Sequence, residues 1–488
     1  LVNLMIHLIN ALLVLWLTRM TFSTPVMKDL PVSRHKNSIV FLTSLLFVTH
    51  PLATQSVTYI AQRFASLASL FYLLALSLFV KGKLQENSAK VLLLFCAVVL
   101  SAVCGILTKE IVFTLPFAII LFDYCFFRIS PRKPQLKDKT VILSLVILAI
   151  FAVILLRNFS SDIFRAVESD QGYAYSISMK EYFLTQFRVI LTYIRLFFLP
   201  FHQNLDYDYP LSASFLDVKT FFSFLALLSI LLAGILLFKK YRLISFGIFW
   251  FFLTLSVESG IIPVSQNVIF EHRTYLPGFG FFIAFTGAFF YLSGDRYFKT
   301  VLIILLVIAS VNMALTYQRN KVWKNEYTLW SDCLAKSPNK ARVNNEIGTA
   351  CAELGQYEKA IDYLNKAINL NPNYAEPYYN RGTVYGRLGQ FQRTIDDCSE
   401  ALRLKPDYVN AYNNRGNAYA ALGLYPRAIE DYNKAILLMP DYIPVFINRG
   451  NAYLKSGDEK SACLDVRRAC EMGNCKDLES SRDRGYCR

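Results

Sequence analysis

Charged and polar residues stand at the ends of several long apolar runs in this chain, and they fall into four groups. His50-Pro51-Leu52 is followed by Gln55, Tyr59 and Arg63. Lys109-Glu110 separates two apolar runs with almost no loop. Asp206-Tyr207-Asp208-Tyr209 follows Pro200. Glu271-His272-Arg273 precedes Tyr275 and Pro277. Ionisable groups beside hydrocarbon are costly and usually have a task there. Arg63, Lys109 and Arg273 are three cations suited to a phosphate, the arginines through two-pronged hydrogen bonding. Glu110, Glu271 and His272 are candidate acid or base groups, with His50 and Tyr275 as supporting residues. Each group also has a plainer reading. Lys109 and Glu110 form an interfacial ion pair, Glu271 and Arg273 pair with each other, and His50 bonds backbone at a helix end. Asp206 and Asp208 are then loop acids or a weak cation site.

The elements that would carry these residues are membrane spans. The 488 residues are 54% hydrophobic and only 18% charged, against about 25% charged in an average soluble domain. Residues 1–318 hold the long apolar runs, and residues 319–488 are polar, so one domain sits in lipid and the other in water. A helix needs about 20 apolar residues to cross about 30 Å of hydrocarbon. The runs 1–19, 38–50, 64–80, 91–107, 111–127, 140–157, 220–238, 243–257, 276–293 and 300–317 predict roughly ten spans. Arg188 and Arg195 near one face of 182–201 point to an interfacial amphipathic helix there. Residue 1 is Leu and the chain opens inside an apolar run. No charged region or cleavage site precedes it, so it is not a signal peptide, and the expectation is that upstream sequence is missing.

Lys and Arg set the orientation. Connections 19–37, 81–90, 128–139, 239–242 and 294–299 are basic, and they alternate with 50–63, 108–110, 158–219 and 258–275, of which the three short ones carry one base each. By the positive-inside rule the basic set is cytosolic. All four polar groups then lie on the non-cytosolic side, and the last span delivers the C-terminal half there as well. The net charge of +15 sits largely in these loops, which excludes a nucleic-acid reading.

The C-terminal half repeats every 34 residues. Gly348, Gly382, Gly416 and Gly450 keep that step, as do Gly355, Gly389, Gly423 and Gly457, and Pro338, Pro372, Pro406 and Pro440. This resembles the tetratricopeptide repeat, a helix–turn–helix unit. Residues 319–340 are a linker with a partial repeat helix, 341–476 four repeats that must stack to bury their faces, and 477–488 a tail. Asn380, Asn414 and Asn448 recur at one first-helix position beside Arg381, Arg415 and Arg449. They are either a ladder holding an extended peptide or residues closing contacts between repeats. No CxxC pair suggests zinc. Cys463, Cys470, Cys475 and Cys487 would allow a disulfide outside the cytosol.

In this order THPLATQSVTYIAQR, LTKEIVFTLP, LPFHQNLDYDYP, FEHRTYLPGFGF and the repeats resemble the transmembrane and tetratricopeptide-repeat proteins. These are O-mannosyltransferase-like members of the GT-C glycosyltransferase superfamily, with bacterial relatives. The resemblance covers nearly the whole chain. It implies an all-α fold, a polytopic GT-C-like bundle followed by an α-solenoid. It also implies transfer of a sugar from a polyprenyl- or dolichyl-phosphate carrier to an acceptor, Ser or Thr hydroxyls in the mannosylating members. The base implied is an acidic residue in the first outer loop, upstream of Leu1, with one further span to make eleven. Gln55 departs from a frequent Glu. A divalent metal is possible, without a compelling ligand set. The implied partners are the lipid-linked sugar, membrane lipids and a protein bound by the repeats. The implied place is a bacterial inner membrane or, alternatively, the endoplasmic reticulum, with the repeats on the periplasmic or lumenal side. The rival readings are a non-enzymatic membrane scaffold and a ligase or flippase for lipid-linked sugars. Neither needs matched polar clusters converging on one cavity.

Overall fold

The computed structural model describes residues 2–59, 63–128, 138–158, 177–257, 259, 268–476, 479 and 487. Every regular element among them is helical, so the fold is all-α as expected. The chain forms two compact units, one running up to Thr328 and one from Leu329 onward.

The first unit contains α1 (Val2–Thr21), α2 (Lys36–Thr49), α3 (Thr54–Thr58), α4 (Arg63–Lys83), α5 (Ser88–Ile106) and α6 (Leu115–Phe126). After these come α7 (Lys139–Asn158), α8 (Met179–Phe198), α9 (Val218–Leu237), α10 (Arg242–Leu255), α11 (Tyr275–Ser293) and α12 (Phe298–Val322). Six helices are long and apolar enough to cross a membrane among the described residues. They are α1, α4, α5, α9, α12 and the helix Glu271–Ser293 that contains α11. A seventh candidate is broken, with Pro31–Thr49 and Pro51–Thr58 bent by 50°. Pro51 supplies the break, because it has no N–H to give and forces His50 into extended backbone (φ −73, ψ 132).

The expected spans at 111–127 and 243–257 are shorter than their apolar runs. Residues Glu110–Thr114 wind as a 3₁₀ turn before the 12-residue α6, and α10 has 14 residues. At 1.5 Å per residue they cover about 18 and 21 Å. Their apolarity answers to packing within the bundle, where Phe122, Phe126, Phe246 and Trp250 are wholly buried. Helix α8 is amphipathic, as its two arginines suggest. A Ser178–Glu181 capping box starts it, and Tyr182, Thr185, Gln186, Val189 and Tyr193 form its buried face.

Helices α10 and α11 approach most closely at Gly247 and Gly280. A Cβ on Gly247 would strike the Gly280 carbonyl and lie 2.6 Å from Ala284 Cβ, and one on Gly280 would strike Trp250. Small residues let helix backbones meet in this way. Trp250 Nε1 donates to Leu276 O at 3.0 Å across the same seam. The contact matters because α11 continues directly from Glu271-His272-Arg273.

The boundary between the units falls within α13 (Glu326–Lys336), which is followed by four helix pairs. These are α14 (Ala341–Glu353) with α15 (Tyr357–Leu370), α16 (Ala375–Arg387) with α17 (Phe391–Leu404), α18 (Val409–Ala421) with α19 (Tyr425–Leu438), and α20 (Ile443–Lys455) with α21 (Glu459–Glu471). Gly389 and Gly423 turn the corner within their pairs at φ 73 and 75, a conformation that favours glycine. An ion-pair ladder repeats with the helices. Arg381, Arg415 and Arg449 each hold an aspartate 16 residues on (Asp397, Asp431, Asp465) through two hydrogen bonds of 2.6–2.9 Å. Each also reaches back to the preceding pair, at Asn365, Ser399 and Asn433. Disulfides join Cys463 to Cys487 and Cys470 to Cys475.

Two outcomes follow from this packing. Gly247→Ala should cost about 2 kcal/mol or more, since the clash is with backbone, and should lower the melting temperature in detergent well below that of Gly287→Ala, whose Cβ meets only a leucine side chain. Arg415→Ala should strand buried Asp431 and cost about 2 kcal/mol locally, read as roughly 30-fold faster amide exchange across α18 and α19 than in wild type.

Candidate active site

Helix α11 begins with a 3₁₀ turn, Glu271–Thr274, in which all four residues are buried. A charged Glu-His-Arg sequence survives there because each member has partners. Glu271 Oε1 accepts from the Asn204 amide at 2.7 Å and from the Tyr207 hydroxyl at 2.6 Å. Burial and the neighbouring carboxylate hold the Tyr207 phenol well above its usual range. It therefore stays protonated and donates. His272 N donates to Gln55 Oε1 at 2.8 Å, and the His272 ring packs against Phe270. His272 Nδ1 has no hydrogen-bond partner among the described residues. Arg273 NH1 donates to the Tyr182 hydroxyl at 3.0 Å, and its guanidinium lies over the Phe270 ring.

Helix α8 holds the preceding strand of chain in place. Tyr193 OH donates to Phe270 O at 3.0 Å and accepts from Phe270 N at 2.9 Å, and Gln186 Nε2 donates to Val268 O. The loop after α8 folds over the turn. Asp206 is buried at its centre, bonded through backbone to Asn204, whereas Asp208 is exposed. The third and fourth sequence groups therefore meet, and Gln55 brings in the first.

The other sequence-derived residues have mixed fates. His50 is buried at the bend, where Nδ1 accepts from Leu52 N and Nε2 donates to Phe197 O. This is the plainer helix-end reading, and it fixes the proton on Nε2. Tyr275 turns into the bundle, where its hydroxyl meets His7 Nδ1 at 2.6 Å and Asn10 Nδ2 at 3.1 Å. Arg63 is half-buried and donates from Nε to Asn3 Oδ1 at 2.8 Å. Lys109 is half-buried at the start of the Glu110–Thr114 turn, and its charge acts on His272. Glu110 is exposed and makes no hydrogen bond or ion pair among the described residues, so the structure does not draw it into the cluster. No group of three or more His, Cys, Asp or Glu among the described residues is placed to hold a metal ion.

Sequence reasoning missed the residues that position this cluster. Tyr182, Gln186 and Tyr193 share one face of α8, and Asn3, His7 and Asn10 form a polar stripe in the first apolar run. Both stripes have helical spacing and were open to detection by it. In the repeats, Asn380 and Asn448 donate to Asn345 and Asn413, and Asn414 to Thr383, each in the preceding pair. Asn414 and Thr383 also line a groove of about 240 Å³ with Arg387, Phe391 and Asn417.

Family models for the tetratricopeptide repeat match residues 348–389, 375–408 and 409–442. A protein O-mannosyl-transferase of Caenorhabditis elegans is 26% identical over 344 residues, covering 69% of this chain and 46% of its own. Protein O-mannosyl-transferase TMTC3 of Homo sapiens is also 26% identical, over 69% of this chain and 40% of its own. The chain thus spans less than half the length of these relatives. Among solved structures, the crystal structure of MamA is 26% identical, covers 34% of this chain and 96% of its own, and has a TM-score of 0.30. The first repeat domain of RPAP3, solved with an HSP90 peptide, is 30% identical over 24% of this chain and 94% of its own, with a TM-score of 0.24. The homologues of this chain are therefore protein O-mannosyl-transferases of the TMTC family, and its own C-terminal helices are tetratricopeptide repeats.

Proposed function

We propose that the chain is a multi-pass membrane glycosyltransferase of GT-C type. It moves a sugar from a polyprenyl- or dolichyl-phosphate carrier to a protein hydroxyl on the non-cytosolic face. The observation that carries this reading is the convergence of Gln55, Asn204, Asp206, Tyr207 and Glu271-His272-Arg273 at one end of the bundle, in a homologue of protein O-mannosyl-transferases. In the reaction the bond from the sugar's anomeric carbon to the carrier phosphate breaks, and a bond to the acceptor oxygen forms. The leaving phosphate gains negative charge, which Arg273 and Lys109, with Arg63 nearer α1, would stabilise. The hydroxyl proton passes to a base. Of the three candidates in this chain, geometry favours His272 and Glu271 over exposed Glu110. The repeats would hold a polypeptide acceptor or partner through Asn380, Asn414 and Asn448, of which Asn414 lines a groove.

The two disulfides support a non-cytosolic place for the repeats, because such bonds persist in oxidising compartments. Peptides linking Cys463 to Cys487 and Cys470 to Cys475 should be recovered from the membrane-expressed protein alkylated before digestion. Recovery of all four as free thiols would count against this sidedness. In transfer assays with polyprenyl-phosphate mannose, Arg273→Ala and Glu271→Gln should each lower kcat/KM about 100-fold or more. Rates equal to wild type in both would remove the cluster from the chemistry.

A further inference from the structure

The connection between α1 and α2 encloses a pocket of about 590 Å³, with Ser23, Lys28, Asp29, Ser33, Arg34 and Lys36 in its wall. Met27 and Val32 anchor this connection in the core of the bundle. Val26 N donates to Phe126 O at 3.2 Å, and the Ser33 hydroxyl donates to Met27 O. Arg34 NH1 donates to Asp295 Oδ2 at 3.0 Å, and His35 Nε2 lies 2.9 Å from Asp295 Oδ1. Asp295 follows the end of α11, whose start is the Glu271–Thr274 turn. The 19 residues of α11 cover about 28 Å, close to the hydrocarbon thickness of a bilayer. The pocket therefore sits at the membrane surface opposite the Glu271 cluster, at the depth of lipid headgroups. Asp295 takes up Arg34. Lys28 and Lys36 are exposed and make no side-chain hydrogen bond or ion pair among the described residues, and the same holds for Asp29. Two ammonium groups and one carboxylate are left in the wall.

We propose that this pocket holds the headgroup of an anionic phospholipid. The phosphodiester pairs with Lys28 and Lys36, whose ammonium groups are compact charges on flexible stems. Lysines at the water boundary of apolar helices attract such lipids in this way. A headgroup hydroxyl donates to Asp29. That carboxylate also repels a second phosphate, so the pocket suits a singly charged lipid with a hydroxylated headgroup, such as phosphatidylglycerol. The inference is separate from the transferase reading and concerns the other surface of the membrane.

The test is lipid binding to the full chain purified in neutral detergent, followed by native mass spectrometry. The probes are dioleoylphosphatidylglycerol, dioleoylphosphatidylcholine and glycerol 3-phosphate. Wild type should bind phosphatidylglycerol about tenfold or more tightly than phosphatidylcholine. The double variant Lys28→Gln with Lys36→Gln should lose that preference and bind phosphatidylcholine as wild type does. Arg296→Gln with Lys299→Gln removes the same charge from the same end of the bundle, outside the pocket wall, and should keep the preference. An equal loss in both double variants would reveal only a diffuse field of charge and overturns the pocket. Wild type that binds the two lipids alike also overturns it. Glycerol 3-phosphate that displaces phosphatidylglycerol at equal concentration would make the ligand a soluble phosphate ester and reject the lipid. A second readout needs no variant: phosphatidylglycerol, and not phosphatidylcholine, must slow amide exchange over residues 23–36 of wild type. Unchanged exchange there overturns the inference.

Discussion

Glu271 begins an apolar helix and is 2% exposed. A carboxylate in that position loses its water, at a cost of several kcal/mol unless hydrogen bonds replace it. The replacement comes from the Asn204 amide and the Tyr207 hydroxyl, and neither belongs to the helix that carries Glu271. The loop after α8 must therefore lie across the helix end. Tyr193 and Gln186 must in turn hold the backbone just ahead of it. One desolvated carboxylate ties together three segments that are far apart in sequence.

The same demand explains why the helix ends are irregular where the bundle is regular elsewhere. His50 and Pro51 bend one apolar run, and Lys109 and Glu110 open another with a 3₁₀ turn. A continuous helix at either place would satisfy its own backbone and present nothing to a ligand. Breaking it frees backbone groups, and at the first break the Leu52 N–H finds the His50 ring, whose other nitrogen donates to Phe197 O. Tight seams such as Gly247 against Gly280 keep the helices from drifting and so keep the ends in register.

The repeat unit solves a different problem with ions. Its helix pairs share few long aliphatic side chains, and Ala428, Ala435 and Ala452 occupy much of the local core. The arginine ladder adds a polar seam in which buried aspartates meet half-buried arginines, repeated with the architecture. Because each arginine touches two consecutive pairs, it also sets their stacking.

The 34-residue step, the apolar runs and the groups at their ends were all legible in the sequence, because each is a property of distance along the chain. The Arg381–Asp397 spacing of 16, repeated at 415 and 449, is legible for the same reason. What distance along the chain does not contain is which ends meet. Glu271 and Tyr207 are 64 residues apart, and Gln55 and His272 are 217 apart. Their meeting depends on where helices bend, how far short ones reach and which faces pack. Sequence by itself determined two all-helical units of different chemistry. Only the tertiary structure decided that Glu271 is gathered in and Glu110 left out, since burial is fixed by the neighbours a residue acquires in space.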